Sequence, residues 1–228
     1  MQEPSDTQST VLEASGASGE PLANEPLSLD FIERFRAKLE PYHAYLAVRG
    51  VPSLIADHFE LAYCRPEQKS MMKNRVVIPI HDHDGVLLAY AGRWVGNDVP
   101  EGEGKYLLPP KFHKQLALYN LHRVRGKKHL VVVEGYFGVF RLFQLGVPAV
   151  ALMGSSLSEA QVALLREAGV KYLTVLLDGD EAGRQAAPSI MARLATEPFL
   201  VKFGLLPEGS QPDTVPETFL RELLRLKA

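Results

Sequence analysis

The sequence predicts an α/β protein: a parallel sheet with helices on both faces, preceded by a smaller mixed α+β subdomain rich in bases. Three observations predict it. From His129 onward, short apolar runs suited to buried strands alternate with stretches of helical period. Upstream, a β-branched run, an Asp-Gly turn and a second apolar run spell out a hairpin. Charge also divides the chain. Residues 65–129 hold twelve Lys/Arg against six Asp/Glu, whereas residues 130–228 hold nine bases against eleven acids. A basic segment beside an acidic one suits a phosphate-rich partner next to a carboxylate site, although a plain solvated surface has the same composition.

Residues 1–27 are rich in Ser, Gly, Ala, Glu and Pro, and residues 1–30 contain six acids and no bases. So few large apolar groups cannot offset the entropy of ordering, which predicts a flexible acidic tail. A first subdomain is expected over residues 28–128. Ser28 or Asp30 can cap a helix with Phe31, Ile32, Phe35 and Leu39 on one face. Pro41 opens a second helix closed by Gly50, and Ser53–Phe59 reads as a third. Val76–Ile80 and Val86–Trp94 form the hairpin around Asp84-Gly85, Val95–Lys111 reads as a long loop, and Phe112–Leu121 contains a short helix.

A second domain is expected over residues 129–228. Its strands are Leu130–Val133, Ala149–Met153, Tyr172–Leu177 and Phe199–Leu205. Between them lie a helix closed by Gly146, one opened by a capping box at Ser156-Leu157-Ser158-Glu159, and one over Glu181–Leu194. A last helix follows Pro216.

Several classes of protein are excluded. No run of about 18 apolar residues exists to span a membrane. The N-terminus lacks the basic-then-apolar pattern of a secretory signal, so a cytoplasmic protein is expected. The single cysteine, Cys64, excludes an internal disulfide and a multi-cysteine zinc module, and it reads as a packed thiol. There is no phosphate-binding G-x-x-x-x-G-K-[ST] loop, no G-x-S-x-G elbow and no G-x-G-x-x-G fingerprint. His81-Asp82-His83 reads as an exposed stretch of hairpin without further metal ligands.

In parallel sheets ligands bind beyond the carboxyl ends of the strands, and three acids fall there: Glu134 after the first strand, Asp178 and Asp180 after the third. Glycines 135, 179 and 183 leave room beside them. Asp180 can equally cap the helix from Glu181. If the two strands are neighbours, the carboxylates converge and repel, and an oxygen-only cluster of that kind suits Mg²⁺ or Mn²⁺.

Leu130–Glu134-Gly135-Tyr136 followed by Asp178-Gly179-Asp180-Glu181-Ala182-Gly183 resembles the Toprim domain of primases, topoisomerases and some nucleases. Upstream, Arg75–Ile80, Asp84-Gly85, Ala91-Gly92-Arg93, Lys105-Tyr106-Leu107, Phe112-His113-Lys114 and Leu118–Leu121 resemble, in the same order, the catalytic core of DnaG-type bacterial primases. Tyr45–Gly50 fits the N-terminal part of that core, so the likeness covers roughly residues 30–226.

The resemblance implies a Toprim-type parallel-sheet domain that performs template-directed nucleotidyl transfer. Glu134, Asp178 and Asp180, with Asp213 as a further ligand, would hold divalent cations. Arg75, Arg93, Lys105 and Lys114 would grip template or nucleotide phosphates. The partners implied are single-stranded DNA and nucleoside triphosphates, with a helicase or a separate zinc-binding replication protein in addition; no zinc and no membrane is expected.

The sequence departs from the family pattern at two acids. Gly138 stands where an Asp usually follows four residues after the Glu, and Gln211-Pro212-Asp213 replaces Asp-Pro-Asp. The family's zinc-binding and helicase-binding regions are not recognised, which suggests a mobile-element origin. The alternatives are a catalytically degenerate Toprim protein that binds nucleic acid or nucleotide as an accessory factor, and a Toprim nuclease.

Overall fold

The computed structural model describes residues 22–96 and 98–226; most of the expected acidic tail lies outside the described residues. The described part of that tail is not free. Leu27 donates its amide to Leu87 O, and the Asn24 side chain exchanges two hydrogen bonds with the His113 backbone, so residues 24–27 are part of the fold. Among the described residues no helix is long and apolar enough to cross a membrane.

The first half is built on an antiparallel sheet of five strands in sequence order: β1 (Leu39–Glu40), β2 (Ala62–Cys64), β3 (Arg75–His81), β4 (Leu87–Trp94) and β5 (Tyr106–Leu107). β3 and β4 form the expected hairpin, pairing from Arg75↔Trp94 to His81↔Leu87, and the Asp82 carboxylate accepts from the amides of Asp84 and Val86 to close the turn. The short β5 lies inside the stretch read as loop, where two residues are too few for periodicity to reveal a strand. Ser28 caps α1 (Leu29–Arg36), while Leu39, expected on that helix, instead pairs with Cys64. The helices α2 (Ala44–Val48) and α3 (Ser53–His58) follow as expected, and the short helix after Phe112 is a single 3₁₀ turn over Lys114–Leu116, followed by α4 (Leu121–Val124).

The second half is a four-stranded parallel sheet in the order β7-β6-β8-β9, made of β6 (His129–Val133), β7 (Ala149–Ala151), β8 (Tyr172–Leu176) and β9 (Leu200–Gly204). Its helices are α5 (Tyr136–Gln144), α6 (Glu159–Glu167), α7 (Glu181–Leu194) and α8 (Glu217–Leu224). Strand alternation assigns the faces. Leu130, Val132, Val150 and Val175 pack with Val162, Leu165, Ile190 and Leu194 of α6 and α7. Val131, Val133, Ala149 and Leu176 pack with α5 and with Leu220 of α8. The capping box is real but sits two residues later than the sequence suggests: Ser158 accepts from Gln161 N, and the Gln161 side chain accepts from Ser158 N.

The two halves share one core. The apolar cluster that includes Val131, Val133 and Phe140 also contains Leu46, Phe59, Val76 and Ile78 from the first half. Phe59, Tyr119 and Phe140 lie at its centre, with the Phe59 and Phe140 rings 4.7 Å apart. This shared core fixes the first sheet against the edge from which the acids emerge.

His81 corrects one expectation. It is buried rather than exposed, its ring 4.6 Å from that of His122, because the end of the hairpin is tucked against α4. Burial first, then the Arg123 guanidinium and His81, hold His122 down to about 4, and burial also lowers His81. A histidine held neutral in the fold and free to protonate near its ordinary value when unfolded costs stability as pH falls below that value.

Thermal unfolding should therefore show Tm falling between about pH 6.5 and 4, with a shallower slope in His122→Asn, the difference amounting to on the order of 2 kcal/mol. Phe140→Ala should cost about 3–5 kcal/mol by denaturant titration, since it opens a cavity in the core common to both halves.

Candidate active site

β6 and β8 are adjacent and parallel, in register from His129↔Tyr172 to Val133↔Leu176. Glu134 follows the end of β6 directly and Asp178 lies two residues beyond β8, so both acids leave the sheet at the same edge. They are locked together by the backbone: Asp178 N donates to Glu134 Oε1 at 2.9 Å. Asp180 is the N-cap of α7, with one carboxylate oxygen accepting from Gly183 N at 2.9 Å. Among the described residues no three His, Cys, Asp or Glu side chains close around a common point that could hold an ion. Glu134 and Asp178 are thus joined through the Asp178 amide, and Asp180, capping the helix beside them, acts electrostatically on both.

Two glycines make this approach possible. A Cβ on Gly183 would lie 2.2 Å from Asp178 O and 2.8 Å from Glu134 Oε1, and one on Gly179 would lie 2.0 Å from Pro207 O. Neither position has space for a side chain. The loop between β9 and α8 reaches back over the same edge, and Gln211 Nε2 donates to Asp178 Oδ2 at 2.7 Å.

Burial, then the nearby Glu134, Asp180 and Asp213 carboxylates, push Asp178 up to about 7 against the opposing Gln211 hydrogen bond. Glu134 is raised as well, chiefly by burial. Paired carboxylates taken out of water without a compensating charge repel, and oxygen donors alone suit a hard divalent cation. By the chemistry of their oxygen donors the residues present fit Mg²⁺ or Mn²⁺, with Glu134 and Asp178 lining one cleft.

Asp213, expected as a further ligand, is bound to Arg49 across 164 positions of sequence, and its side chain is 7% exposed. Arg49 is the residue that sequence reasoning missed. It closes α2, donates to Tyr45 OH at 3.1 Å and lies 4.3 Å above the Phe137 ring, tying the first half to the acidic edge. Its neighbourhood was legible as the stretch Tyr45–Gly50, but nothing in the spacing links it to Asp213.

The four expected phosphate-binding cations separate into two groups. Lys105 lines a cleft of about 200 Å³ together with Glu134 and Asp178, and burial followed by the nearby Arg93 and Arg49 charges lowers its pKa. Lys114 is exposed and donates to Met153 O, at the turn where Met153 and Gly154 border the same cleft. Arg93 is buried, lying 5.4 Å from both the Tyr45 and Tyr106 rings and donating to Trp94 O. Arg75 has no exposed surface; it is bonded to Glu103 and Gly104 O and faces the Trp94 ring. Its buried guanidinium braces the loop that carries Lys105.

The metal-free protein should respond to removal of the buried charge. Asp178 titrates at a higher pH in the fold than when unfolded, so it destabilises the fold as pH rises from about 4 through 7. Asp178→Asn should raise Tm at pH 8 in chelator, and the gain should vanish near pH 4. Gly183→Ala should move Glu134 or the Asp178 backbone and lower Tm, read in the same melts.

Comparison with known proteins agrees with this geometry. The Toprim-like family profile matches residues 131–215, and the profile of the DNA primase catalytic core, N-terminal domain, matches residues 67–125. The DNA primase of Geobacillus stearothermophilus is 36% identical over 149 residues, which are 62% of this chain and 24% of that protein. The Pseudomonas aeruginosa DNA primase is 38% identical over 155 residues, 63% of this chain and 22% of the relative. The chain thus spans about a quarter of the length of the curated relatives it matches. A crystal structure of a DNA primase domain from Pseudomonas aeruginosa is 31% identical with a TM-score of 0.59, over 86% of this chain and 67% of that one. The DnaG primase catalytic domain bound to ssDNA superposes with a TM-score of 0.68 at 28% identity, over 79% of this chain and 68% of that one. With its parallel acid-bearing sheet, its antiparallel partner sheet and matches to both halves, the chain belongs to the family of DnaG-type bacterial primase catalytic cores with a Toprim domain.

Proposed function

We propose that this chain is a primase-type nucleotidyltransferase core that joins nucleotides on a single-stranded DNA template, drawing on nucleoside triphosphates and Mg²⁺ or Mn²⁺. One observation supports the reading: Glu134, Asp178 and Lys105 line the same cleft, with the two acids joined through the Asp178 amide. A carboxylate pair and an ammonium in one cleft are complementary to a metal–triphosphate complex, whose cation needs oxygen donors and whose phosphates need cations.

The chain's own groups divide the work. Glu134 and Asp178 would hold the divalent ion, with Asp180 alongside. When bound, that ion would activate a 3′-hydroxyl and stabilise charge on the phosphoryl group being transferred. Lys105 would hold the triphosphate in the same cleft, and Lys114 would meet the backbone of the template or the growing strand near Gly154. Arg93 would keep the Tyr45 and Tyr106 rings in place beside the cleft. A helicase or a separate zinc-binding replication protein would act as partner in the cytoplasm.

A second reading has specific support. Gln211 and Gly138 stand where the family usually has acids, and Asp213 is paired with Arg49, which favours a Toprim protein that binds nucleic acid or nucleotide without synthesis.

Incorporation of labelled nucleotide on a single-stranded template decides between the two readings. Synthesis is expected with Mn²⁺, lost in Asp178→Ala, and weakened about 10–100-fold in Lys105→Ala through a higher nucleotide requirement, the value of one charge-assisted contact. Salt-dependent binding of DNA with no product under either metal would establish the binding reading instead, and metal-dependent loss of the template would indicate a nuclease.

A further inference from the structure

Four acids approach the rim, yet they are not equivalent. Glu134 keeps Oε2, and Asp178 keeps Oδ1, without a hydrogen-bond partner among the described residues, while their other oxygens accept from Asp178 N and from Gln211 Nε2. Asp180 has one oxygen on the Gly183 amide as an exposed helix cap, close enough that its charge acts on Glu134 and Asp178. Asp213 is already neutralised by Arg49 in a nearly buried ion pair, and removing either partner of such a pair leaves an uncompensated charge. The first turn of α5 offers no carboxylate: Gly138 lies against the sheet, and a Cβ there would come 3.2 Å from Val133 Cγ2 and 3.3 Å from Pro212 Cγ.

We propose that this chain admits a single divalent ion at the rim, held between Glu134 and Asp178, because Gln211 and Arg49 already hold the groups a second ion would need. The inference rests on the reading of the rim as a metal site and specifies its stoichiometry and ligands. Two carboxylates carry two negative charges, which one divalent ion balances, and Mg²⁺ is commonly bound by one or two carboxylates with water and phosphate completing its shell. Gln211 contributes a neutral donor at a point where another carboxylate would add both a ligand and a negative charge. Arg49 keeps Asp213 as a structural anion that fastens the β9–α8 loop to α2. Asp213 is therefore a partner of Arg49 and not a ligand of the ion.

The test counts manganese. The free Mn²⁺ signal in electron paramagnetic resonance, titrated with the whole chain and no nucleotide, should report one ion per chain, with binding lost in Glu134→Gln and in Asp178→Asn. Asp213→Asn should still bind one ion at saturating manganese, and Gln211→Asp should raise the count to two. Circular dichroism melts confirm that each variant is folded; should Asp213→Asn fail that check, the count in Gln211→Asp decides alone.

Two ions on the unmodified chain would overturn the inference and leave the metal-site reading standing. So would complete loss of the ion in folded Asp213→Asn at saturating manganese, or an unchanged count in folded Gln211→Asp. No ion at all on the unmodified chain at millimolar manganese would overturn the metal-site reading itself.

Discussion

The in-register pairing of β6 with β8 decides where the active groups of the rim can lie, since it brings Glu134 and the Asp178 backbone to the same height at one edge of the sheet. A carboxylate directly after one strand then meets an amide just beyond its neighbour, and the two acids share a partly buried space. Such an arrangement is costly for the protein alone. Burial raises both acids, with repulsion from Glu134, Asp180 and Asp213 added at Asp178 and from Asp180 at Glu134, and the polypeptide answers only in part, with one amide from Gln211 on Asp178 and one backbone donor on Glu134. The proposed divalent cation would supply what is missing, and the glycines at 179 and 183 let Glu134 and the Asp178 backbone approach this closely.

The rest of the molecule holds Lys105 in the cleft that the acid-bearing edge also lines. One apolar core runs through both sheets, with Phe59, Tyr119 and Phe140 at its centre, so the antiparallel sheet cannot shift freely against the parallel one. Arg75, enclosed and bonded to Glu103 and Gly104, steadies the segment that carries Lys105. Arg49 makes a second tie, from the end of α2 to Asp213 and Phe137. Buried guanidinium groups of this kind fix geometry as much as they add stability, because leaving either partner unpaired is expensive.

Much of this was legible in the sequence because it follows from local pattern. Alternating apolar runs and helical stretches give the parallel sheet, the Asp84-Gly85 turn gives the hairpin, and an acid after each of two strands gives the rim once those strands are neighbours. What was hidden depends on contacts distant in sequence. Nothing local shows that Arg75 is enclosed while Lys105 is open, that Asp213 belongs to Arg49, or that His81 is buried against His122. Leu39 fits the period of α1, yet pairing with Cys64 takes it into a strand, a tertiary override of helical pattern. The structure shows Asp180 as the cap of α7, close enough to act electrostatically on Glu134 and Asp178.

The central claim is that a divalent cation balances Glu134 and Asp178 at the edge of the parallel sheet. Crystals soaked in manganese and measured at a wavelength where manganese scatters anomalously test it most directly. The account predicts an anomalous peak between these two carboxylates, within coordinating distance of both. An edge without a peak at saturating manganese, with the two acids still side by side, would contradict it.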